Sequence, residues 1–228
     1  MNEDTLERRR RLFGDDHPDT LRSVHGLAVV LHALGERAEA RRLNEDTLER
    51  RRRLFGDDHP DTLRSVHSLA ATLHSLGECA KARRMKEDTL ERRRRVFGDD
   101  HPDTLDSVHS LAITLHSLGE YAEARSLDED VLERRRRVLG EDHPDTLDSA
   151  LSLVITLCAL REFARAVGLL KETRARSRRI LGDEHPFTDA VTQTLVRALT
   201  AAGKPHEAQK LLVSRHKGGQ RQTRRKRR

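Results

Sequence analysis

The sequence predicts an all-α fold in which helical hairpins stack into a solenoid, and three observations support this prediction. Residues 2–43 and 44–85 are identical at 35 of 42 positions. Each unit contains two helical patterns of apolar residues separated by one glycine-containing turn. A marker segment, GDDHPDTL or a close variant, recurs every 42 residues, at residues 14–21, 56–63, 98–105, 140–147 and 182–188. A fixed period of this size is typical of repeat arrays, which are stabilised by contacts between neighbouring units.

The first helix of each unit begins at a proline and ends before a glycine. In the first complete unit it is predicted to run from about Pro18 to Leu34, because proline suits the first helical position and Asp19 suits the positive end of the helix dipole. Gly35 then favours a left-handed cap, although Arg161 takes this position in a later unit. Apolar residues three and four apart predict one buried face: Leu21, Val24, Leu27, Ala28, Leu31 and Leu34.

The second helix is predicted from about Arg37 to Phe55, and its last turns carry a run of four arginines. Four consecutive helical residues point in all directions, so a run cannot form one nucleic-acid patch. We expect salt-bridged helix ends, with Asp46–Arg50 and Glu49–Arg53 as i,i+4 pairs. The predicted inward residues are Ala40, Leu43, Thr47, Leu48, Leu54 and Phe55, and the stems of Arg51, Arg93 and Arg135 are expected to cover the edge of the core.

The combination of LGEYAEA at residues 118–124 and GEDHPDTL at residues 140–147 resembles tetratricopeptide repeats of the 42-residue kinesin-light-chain type. It is also similar to the arginine-rich arrays that follow NB-ARC-type signalling ATPase domains in actinobacteria. The resemblance implies a right-handed superhelix with the first helices on its concave side. The sequence has no GxxxxGK[ST] phosphate-binding loop, so an ATPase of that kind is absent from it.

The predicted array covers residues 1–214, with a half repeat at 1–14 and repeats that start near 15, 57, 99, 141 and 183. Because residues 2–13 duplicate 44–55, the sequence starts inside a second helix. Three explanations stay open: a fragment of a longer array, a misassigned start, or self-association through the unpaired N-terminal helix.

Residues 215–228 form a basic tail that is predicted to be disordered. The tail holds eight Lys and Arg and no Asp or Glu, so removing it from the net charge of +6 leaves −2 for residues 1–214. Two interpretations of the tail stay open: a solubilising or accidental end, and a segment with weak, salt-dependent attraction to nucleic acid or to an anionic surface. The alternative function is therefore a binder of polyanions through Arg224, Arg225, Lys226, Arg227 and Arg228.

The remaining features of the sequence argue against an enzyme. The DDHPD turns lack the alternating ligands of a calcium loop, and their histidines are expected to cap or pack in the turn. Cys79 and Cys158 form no CxxC pair, so we predict no catalytic residue, no metal and no cofactor. No apolar stretch is long enough for a membrane span, and the first residues do not form a secretory signal, so we expect a cytoplasmic protein.

A polar stripe on the first helices is the predicted binding site, and we call it the first-helix face. It consists of Arg22, His25, His32, Arg64, His67, Ser68, His74, Asp106, His109, Ser110 and His116. In repeats of the kinesin-light-chain type the corresponding residues are often Asn-Asn, which contact bound peptide. Two hypotheses stay open: a scaffold that binds an extended peptide or partner helix here, and a polar face that binds nothing.

The six histidines of this face lead to an expectation about charge. Imidazoles ordinarily titrate near pH 6.5, so the face should become positive on mild acidification. An acidic peptide is then expected to bind more tightly as the pH falls from about 7.5 to about 5.5.

Overall fold

The computed structural model describes residues 3–212, and it is helical throughout these residues apart from short turns. The basic tail lies outside this range, as do residues 1 and 2. These residues divide into two compact units, residues 3–120 and residues 121–212. The first unit contains α1 (Glu3–Phe13), α2 (Pro18–Ala33), α3 (Arg37–Phe55), α4 (Pro60–Ser75), α5 (Cys79–Phe97) and α6 (Pro102–Ser117). The second contains α7 (Tyr121–Leu139), α8 (Pro144–Ala159), α9 (Phe163–Leu181) and α10 (Pro186–Ala201), followed by helical residues at 205–212.

Within each unit, helices that follow one another in the chain pack together as antiparallel hairpins, so the predicted solenoid of helical hairpins is confirmed. In the first unit α2, α4 and α6 are first helices and α1, α3 and α5 are second helices. Leu63 and Leu105 occupy the same position in successive repeats, and each is at most 1% exposed. In the second unit, Leu157, Leu170 and Leu195 are buried in one apolar cluster. The neighbouring helices therefore supply the core, as expected of a repeat array.

The histidine of each marker segment starts the following helix, which confirms its predicted capping role. Nδ1 of His59 accepts a hydrogen bond from the backbone N–H of Asp61 at 3.2 Å, and Pro60 occupies the first helical position. The imidazole of His59 also stacks on the ring of Phe55, with 4.5 Å between ring centroids. The same cap is present at His17, His101, His143 and His185.

The aspartates of the marker segments join the turn before each first helix to the arginine run at the end of the second helix of the same repeat. Asp16 accepts hydrogen bonds from Arg50 at 2.8 Å and from Arg53 at 2.9 Å, both near the end of α3 in the same repeat. The predicted Asp46–Arg50 pair is present at 3.0 Å, whereas Arg53, expected to pair with Glu49, contacts Asp16. Arginines near the ends of second helices are thus engaged in ion pairs within their own repeats, as at Asp58 with Arg92 and Arg95 and at Asp142 with Arg176 and Arg179.

Two of the predicted core positions are wrong. The side chain of Leu34 is 70% exposed and that of Leu54 is 43% exposed. Both lie at the end of a helix, where the apolar periodicity continues but the neighbouring helix no longer covers it. The arginines expected at the edge of the core are instead inside it, because Arg51, Arg93 and Arg135 are only 2–3% exposed.

One helix end departs from the glycine pattern. The turns that follow α2, α4 and α6 contain glycines with a φ of 87°, 83° and 81°, in the left-handed region that glycine adopts without steric cost. After α8 the same place is taken by Arg161 with a φ of 61°, the one non-glycine residue with positive φ in the part of the chain that the structure describes. Tertiary packing of the α8–α9 hairpin therefore imposes the turn where the local sequence does not favour it.

Candidate functional site

The first-helix face lies entirely in the first unit, on the helices α2, α4 and α6. These helices lie side by side, since α2 contacts α4 and α4 contacts α6. The three positions that come first in each helix, Arg22, Arg64 and Asp106, are exposed. The other eight predicted residues are half-buried: His25, His32, His67, Ser68, His74, His109, Ser110 and His116. The structure thus brings the predicted residues onto one surface but leaves few of them fully accessible.

The arginines of this face are paired within their own helices. Arg22 contacts the carboxylate of Asp19 at 2.8 Å, and Arg64 contacts that of Asp61 at 2.7 Å. Pairs of this kind between exposed residues contribute little to stability, but they neutralise the local charge. The start of α2 and of α4 is therefore close to electrically neutral on this side.

Two central histidines of the face do not behave as expected. Burial, together with the positive charges of Arg51 and Arg64, lowers the pKa of His25 to about 4. Burial likewise lowers the pKa of His67 to about 4, with Arg93 and Lys86 as the next causes. Both imidazoles stay neutral on mild acidification, so the expected gain of positive charge at these residues is wrong. The expectation of an acidic partner that binds more tightly at lower pH therefore loses the contribution of these two imidazoles.

The lowered pKa values of His25 and His67 can be tested directly. In the folded chain the Cε1–H resonances of His25 and His67 are expected to titrate near pH 4, and to be almost unchanged between pH 7.5 and pH 5.5. The measurement is a two-dimensional NMR titration, with His25→Gln and His67→Gln variants to assign the resonances. When the chain is unfolded in urea, the titration midpoints of both histidines should return to the ordinary value near pH 6.5. A folded-state midpoint near 6.5 would contradict the burial that the structure shows.

Two further histidines of the face link neighbouring helices. Nδ1 of His32 lies 3.1 Å from Oγ1 of Thr72, and its Nε2 lies 3.3 Å from Oγ of Ser75, both on α4. Nε2 of His74 lies 3.0 Å from Oγ of Ser117 on α6. These rings are therefore used to hold first helices together. The sequence pattern did not reveal this role, because the partners lie 40 to 43 residues away.

A buried lysine beneath the first-helix face was not predicted from the sequence. Lys86 on α5 is 3% exposed, and its ammonium donates hydrogen bonds to the backbone oxygen of Ser110 at 2.9 Å and to Oγ1 of Thr114 at 2.7 Å. Burial lowers its pKa to about 8. One signal was available in the sequence, since the corresponding residues are Asn44, Asp128 and Leu170, so that this position differs in all four repeats.

Aliphatic residues interrupt the polar stripe at one repeat position. Val29 on α2 is 50% exposed and Ile113 on α6 is 40% exposed, whereas Ala71 between them on α4 is half-buried. This surface is thus mixed in composition, with imidazoles, hydroxyls and exposed aliphatic side chains. A surface of this kind can bind uncharged side chains and main-chain groups of a partner.

Comparison with known proteins agrees with this architecture. Two models of the tetratricopeptide repeat match the chain, one at residues 1–53 and 23–95 and the other at residues 104–145 and 146–187. The chain belongs to the tetratricopeptide repeat family. Proteins with this fold generally mediate protein–protein interaction, and they are generally not enzymes. No curated protein matches the chain closely enough to count as a relative.

Solved structures extend the match over nearly the whole tetratricopeptide array. A protein of Podosopora anserina with nearly identical kinesin-light-chain TPR-like repeats is 32% identical, with a TM-score of 0.79, and 92% of this chain and 99% of that chain are covered. A single-substitution variant of that protein is 31% identical, with a TM-score of 0.80 and coverage of 91% and 98%. BtubC (BKLC) from P. vanneervenii, at 19% identity and a TM-score of 0.80 with coverage of 94% and 86%, shares the fold.

The described tetratricopeptide repeats contain neither a group of metal ligands nor a helix that could span a membrane. Residues 3–212 contain no group of three or more His, Cys, Asp or Glu side chains that could hold a metal ion. Over the same residues, no helix is long and apolar enough to span a membrane. The polyanion-binding residues predicted in the tail, Arg224, Arg225, Lys226, Arg227 and Arg228, lie outside the described residues.

Proposed function

We propose that this tetratricopeptide array is a non-enzymatic scaffold that binds an extended peptide on the first-helix face. The observation that carries the proposal is the exposure of Val29 and Ile113, at 50% and 40%, beside the half-buried polar residues of three adjacent helices. Burying such side chains against a partner is favourable by about 25 cal/mol for each Å² of apolar surface removed from water. The neighbouring hydroxyls and imidazoles supply hydrogen bonds for a peptide main chain.

A peptide suits this surface better than a compact ligand does. The face extends across three helices, and neighbouring packed helices lie about 8–10 Å apart. By contrast, the cavity lined by Leu132, Leu147 and Ala150 in the second unit has a volume of about 10 Å³, which is room for about one water molecule. We therefore propose a protein or peptide as the ligand, and no cofactor.

The proposal can be tested by selection of peptides on the immobilised full-length chain. A phage-displayed library of random dodecapeptides, each about 40 Å long when extended, is used as the probe. Selected peptides are expected to bind a Val29→Asp/Ile113→Asp variant at least about tenfold more weakly, a loss of about 1.4 kcal/mol. Affinities are measured by fluorescence anisotropy of the synthetic peptides, and far-UV circular dichroism verifies that the variants are folded.

A Leu54→Asp/Val96→Asp variant is the matched control. These residues are exposed to a similar extent, at 43% and 42%, but they lie on the second helices α3 and α5. The control is expected to bind the selected peptides with unchanged affinity. Equal binding by the face variant and the wild type, or loss of binding in the control alone, would overturn the proposal.

The remaining expectations about partners and location stay proposals. The eight positive charges at residues 215–228 support the alternative function, a binder of nucleic acid or another polyanion. Self-association through the N-terminal helix is a further prediction about this array. We also propose a cytoplasmic location, which is a reducing compartment and therefore suits the two unpaired cysteines Cys79 and Cys158.

A further inference from the structure

The helix α1 is built like the second half of the other second helices, and one of its sides is packed as theirs are. Residues 3–13 correspond to residues 45–55 of α3. Arg9 donates a hydrogen bond to Ser23 on α2, as the corresponding arginine of α3 does to a serine of α4. The side of α1 that faces the next repeat is therefore complete.

The opposite side of α1 is open. α3 packs against α2 and α4, its own first helix and the next one, whereas α1 packs against the next one, α2. Thr5 is accordingly exposed, although the corresponding Thr47 and Thr89 are at most 1% exposed. Phe13 is 53% exposed, although the corresponding Phe55 is half-buried. This side of α1 therefore has the shape and composition that packs on a first helix elsewhere in the array.

Two arginines of α1 lack the carboxylate that their counterparts bind. A marker aspartate accepts hydrogen bonds from the arginines that follow it by 34 and 37 residues. Arg8 and Arg11 occupy the corresponding positions of α1. Among residues 3–212 Arg8 forms no ion pair, and Arg11 is paired only with Glu7, at 3.6 Å on the surface. The open side of α1 is thus accompanied by two arginines that can bind an acid.

The last marker segment has an acid that lacks such arginines. This acid is Glu184, which is exposed and forms no ion pair with any residue from 3 to 212. The positions 34 and 37 residues further along are Gly218 and Arg221, outside the described residues. Asp189 adds a further negative charge on α10, at a position where the four preceding repeats have a buried leucine. The start of α10 is therefore acidic where α1 is basic.

We propose that α1 of one copy of this chain packs against the C-terminal repeat of a second copy, with Arg8 and Arg11 bound to Glu184. The helical residues at 205–212 correspond to residues 37–44, the first half of a second helix, and α1 corresponds to the second half. The two segments together thus supply a complete second helix for α10. This contact specifies the surface of the predicted self-association, and it does not depend on the peptide site.

The sequence that follows residue 212 in the same chain carries a different pattern. It has His216 where α3, α5 and α7 have a buried leucine, and Gly218 and Gly219 where they have two arginines. Glycine in a helix interior costs about 1 kcal/mol relative to alanine. By contrast, α1 is an 11-residue helix that carries both arginines. A second copy therefore suits this place better than residues 213–228 do.

Sedimentation velocity of the full-length chain measures the contact, at concentrations from about 5 to 500 μM because one short helix forms a small interface of modest affinity. The average mass should rise with concentration, and it should rise less in about 0.5 M NaCl, which screens surface charges. Arg8→Glu/Arg11→Glu and, separately, Glu184→Arg should each raise the Kd at least about tenfold, since like charges then face each other. A wild type that stays monomeric throughout overturns the proposal.

Mixing the two variants tests which surfaces meet. The Glu184→Arg chain keeps an intact α1, and the Arg8→Glu/Arg11→Glu chain keeps an intact Glu184. An equimolar mixture should therefore associate at concentrations where neither variant does so alone, because the contact joins two different surfaces. The matched control Arg37→Glu/Arg84→Glu makes the same change of charge at exposed arginines of α3 and α5 and should associate like the wild type. A mixture that stays monomeric, or equal weakening by the control, overturns the proposal.

Two further variants test the other possible contacts. Deletion of residues 213–228 should leave the association at least as strong, and its loss would assign the contact to the tail and overturn the proposal. Val29→Asp/Ile113→Asp should also associate like the wild type. If it does not, α1 binds the first-helix face and the proposed contact is wrong. Far-UV circular dichroism verifies that each variant is folded, and failure of the peptide site leaves these results unaffected.

Discussion

Replacing Lys86 with leucine is expected to raise the free energy of unfolding by about 3 kcal/mol at pH 7. The pKa of Lys86 falls from 10.5 to about 8 because its ammonium is buried. Each unit of pKa corresponds to about 1.4 kcal/mol, so the buried charge costs on the order of 3 kcal/mol relative to the neutral amine. Leucine fits this environment, because Leu170 occupies the corresponding position in the second unit and is fully buried.

The substitution leaves no buried hydrogen-bonding group without a partner. Thr114, which accepts a hydrogen bond from Lys86, also donates one to the backbone oxygen of Ser110 at 3.2 Å. Exchanging a buried charge for a packed apolar side chain of similar volume is often stabilising. The expected rise in the free energy of unfolding therefore comes from removal of the desolvation cost of the Lys86 ammonium.

The dependence on pH identifies the cause. Between pH 8 and pH 10.5 the folded chain loses the Lys86 proton while the unfolded chain retains it, so the stability of the wild type rises through this window. The advantage of Lys86→Leu should accordingly shrink over the same range. Urea unfolding of the wild type and of the Lys86→Leu variant, at pH 7 and at about pH 10, measures the stability of each chain and so the difference between them. An advantage that is equal at the two pH values, or a destabilised variant, would contradict the buried charge.

Asn44→Leu provides the matched control for this experiment. Asn44 is buried at the same position of the preceding repeat and donates a hydrogen bond to Thr72 at 3.2 Å. Since an amide does not titrate, its replacement is expected to shift stability by the same amount at both pH values.

Replacing Arg93 with alanine is expected to lower the free energy of unfolding by about 3 kcal/mol. Arg93 is 3% exposed, and its guanidinium donates hydrogen bonds to the backbone oxygen of Asp103 at 2.6 Å and to Oγ of Ser107 at 2.9 Å. Truncation removes both bonds and leaves a cavity between α5 and α6. Large-to-small substitutions in a core cost about 2–5 kcal/mol, and hydrogen bonds to charged groups add to this cost.

The adjacent arginine supplies a matched control. Arg94 belongs to the same run, but its exposed side chain contacts Asp99 at 3.1 Å on the surface. Arg94→Ala is expected to cost less than about 1 kcal/mol, as is usual for exposed ion pairs. Urea unfolding of both variants makes the comparison, and equal losses would contradict the distinction between the two arginines.

The last repeat suggests a compensating change. At the positions of Arg93 and Ser107 it has Ser177 and Val191, both fully buried. Adding Ser107→Val to an Arg93→Ser variant is therefore expected to recover about 1 kcal/mol, because residues in contact show coupling energies of this size. Additive losses from the two substitutions would contradict the coupling.

Helix positions can be predicted from the sequence because their signals are local. The first helix is expected from Pro18 to Leu34 and is found at Pro18–Ala33, and the second is expected and found at Arg37–Phe55. Proline at the helix start, glycine after the helix end and apolar spacing all act within a few residues. At the helix ends, however, the same periodicity wrongly assigns Leu34 and Leu54 to the core.

The candidate site can be predicted only in part. The sequence places its residues on one side of the first helices, and the structure shows them together on α2, α4 and α6. The sequence does not show that Arg51, Arg93 and Lys86 act on His25 and His67, since these groups come from other helices. It also does not reveal that His32 links α2 to α4.

By itself, the sequence determined that this protein is an array of helical hairpins of the tetratricopeptide type, because a 42-residue period and local helix signals are enough to specify one repeating unit. Only the tertiary structure decided which polar residues are buried and which histidines stay neutral. These properties depend on side chains contributed by other helices. Their distances and burial arise from packing between helices, and the spacing of residues along one helix does not contain them.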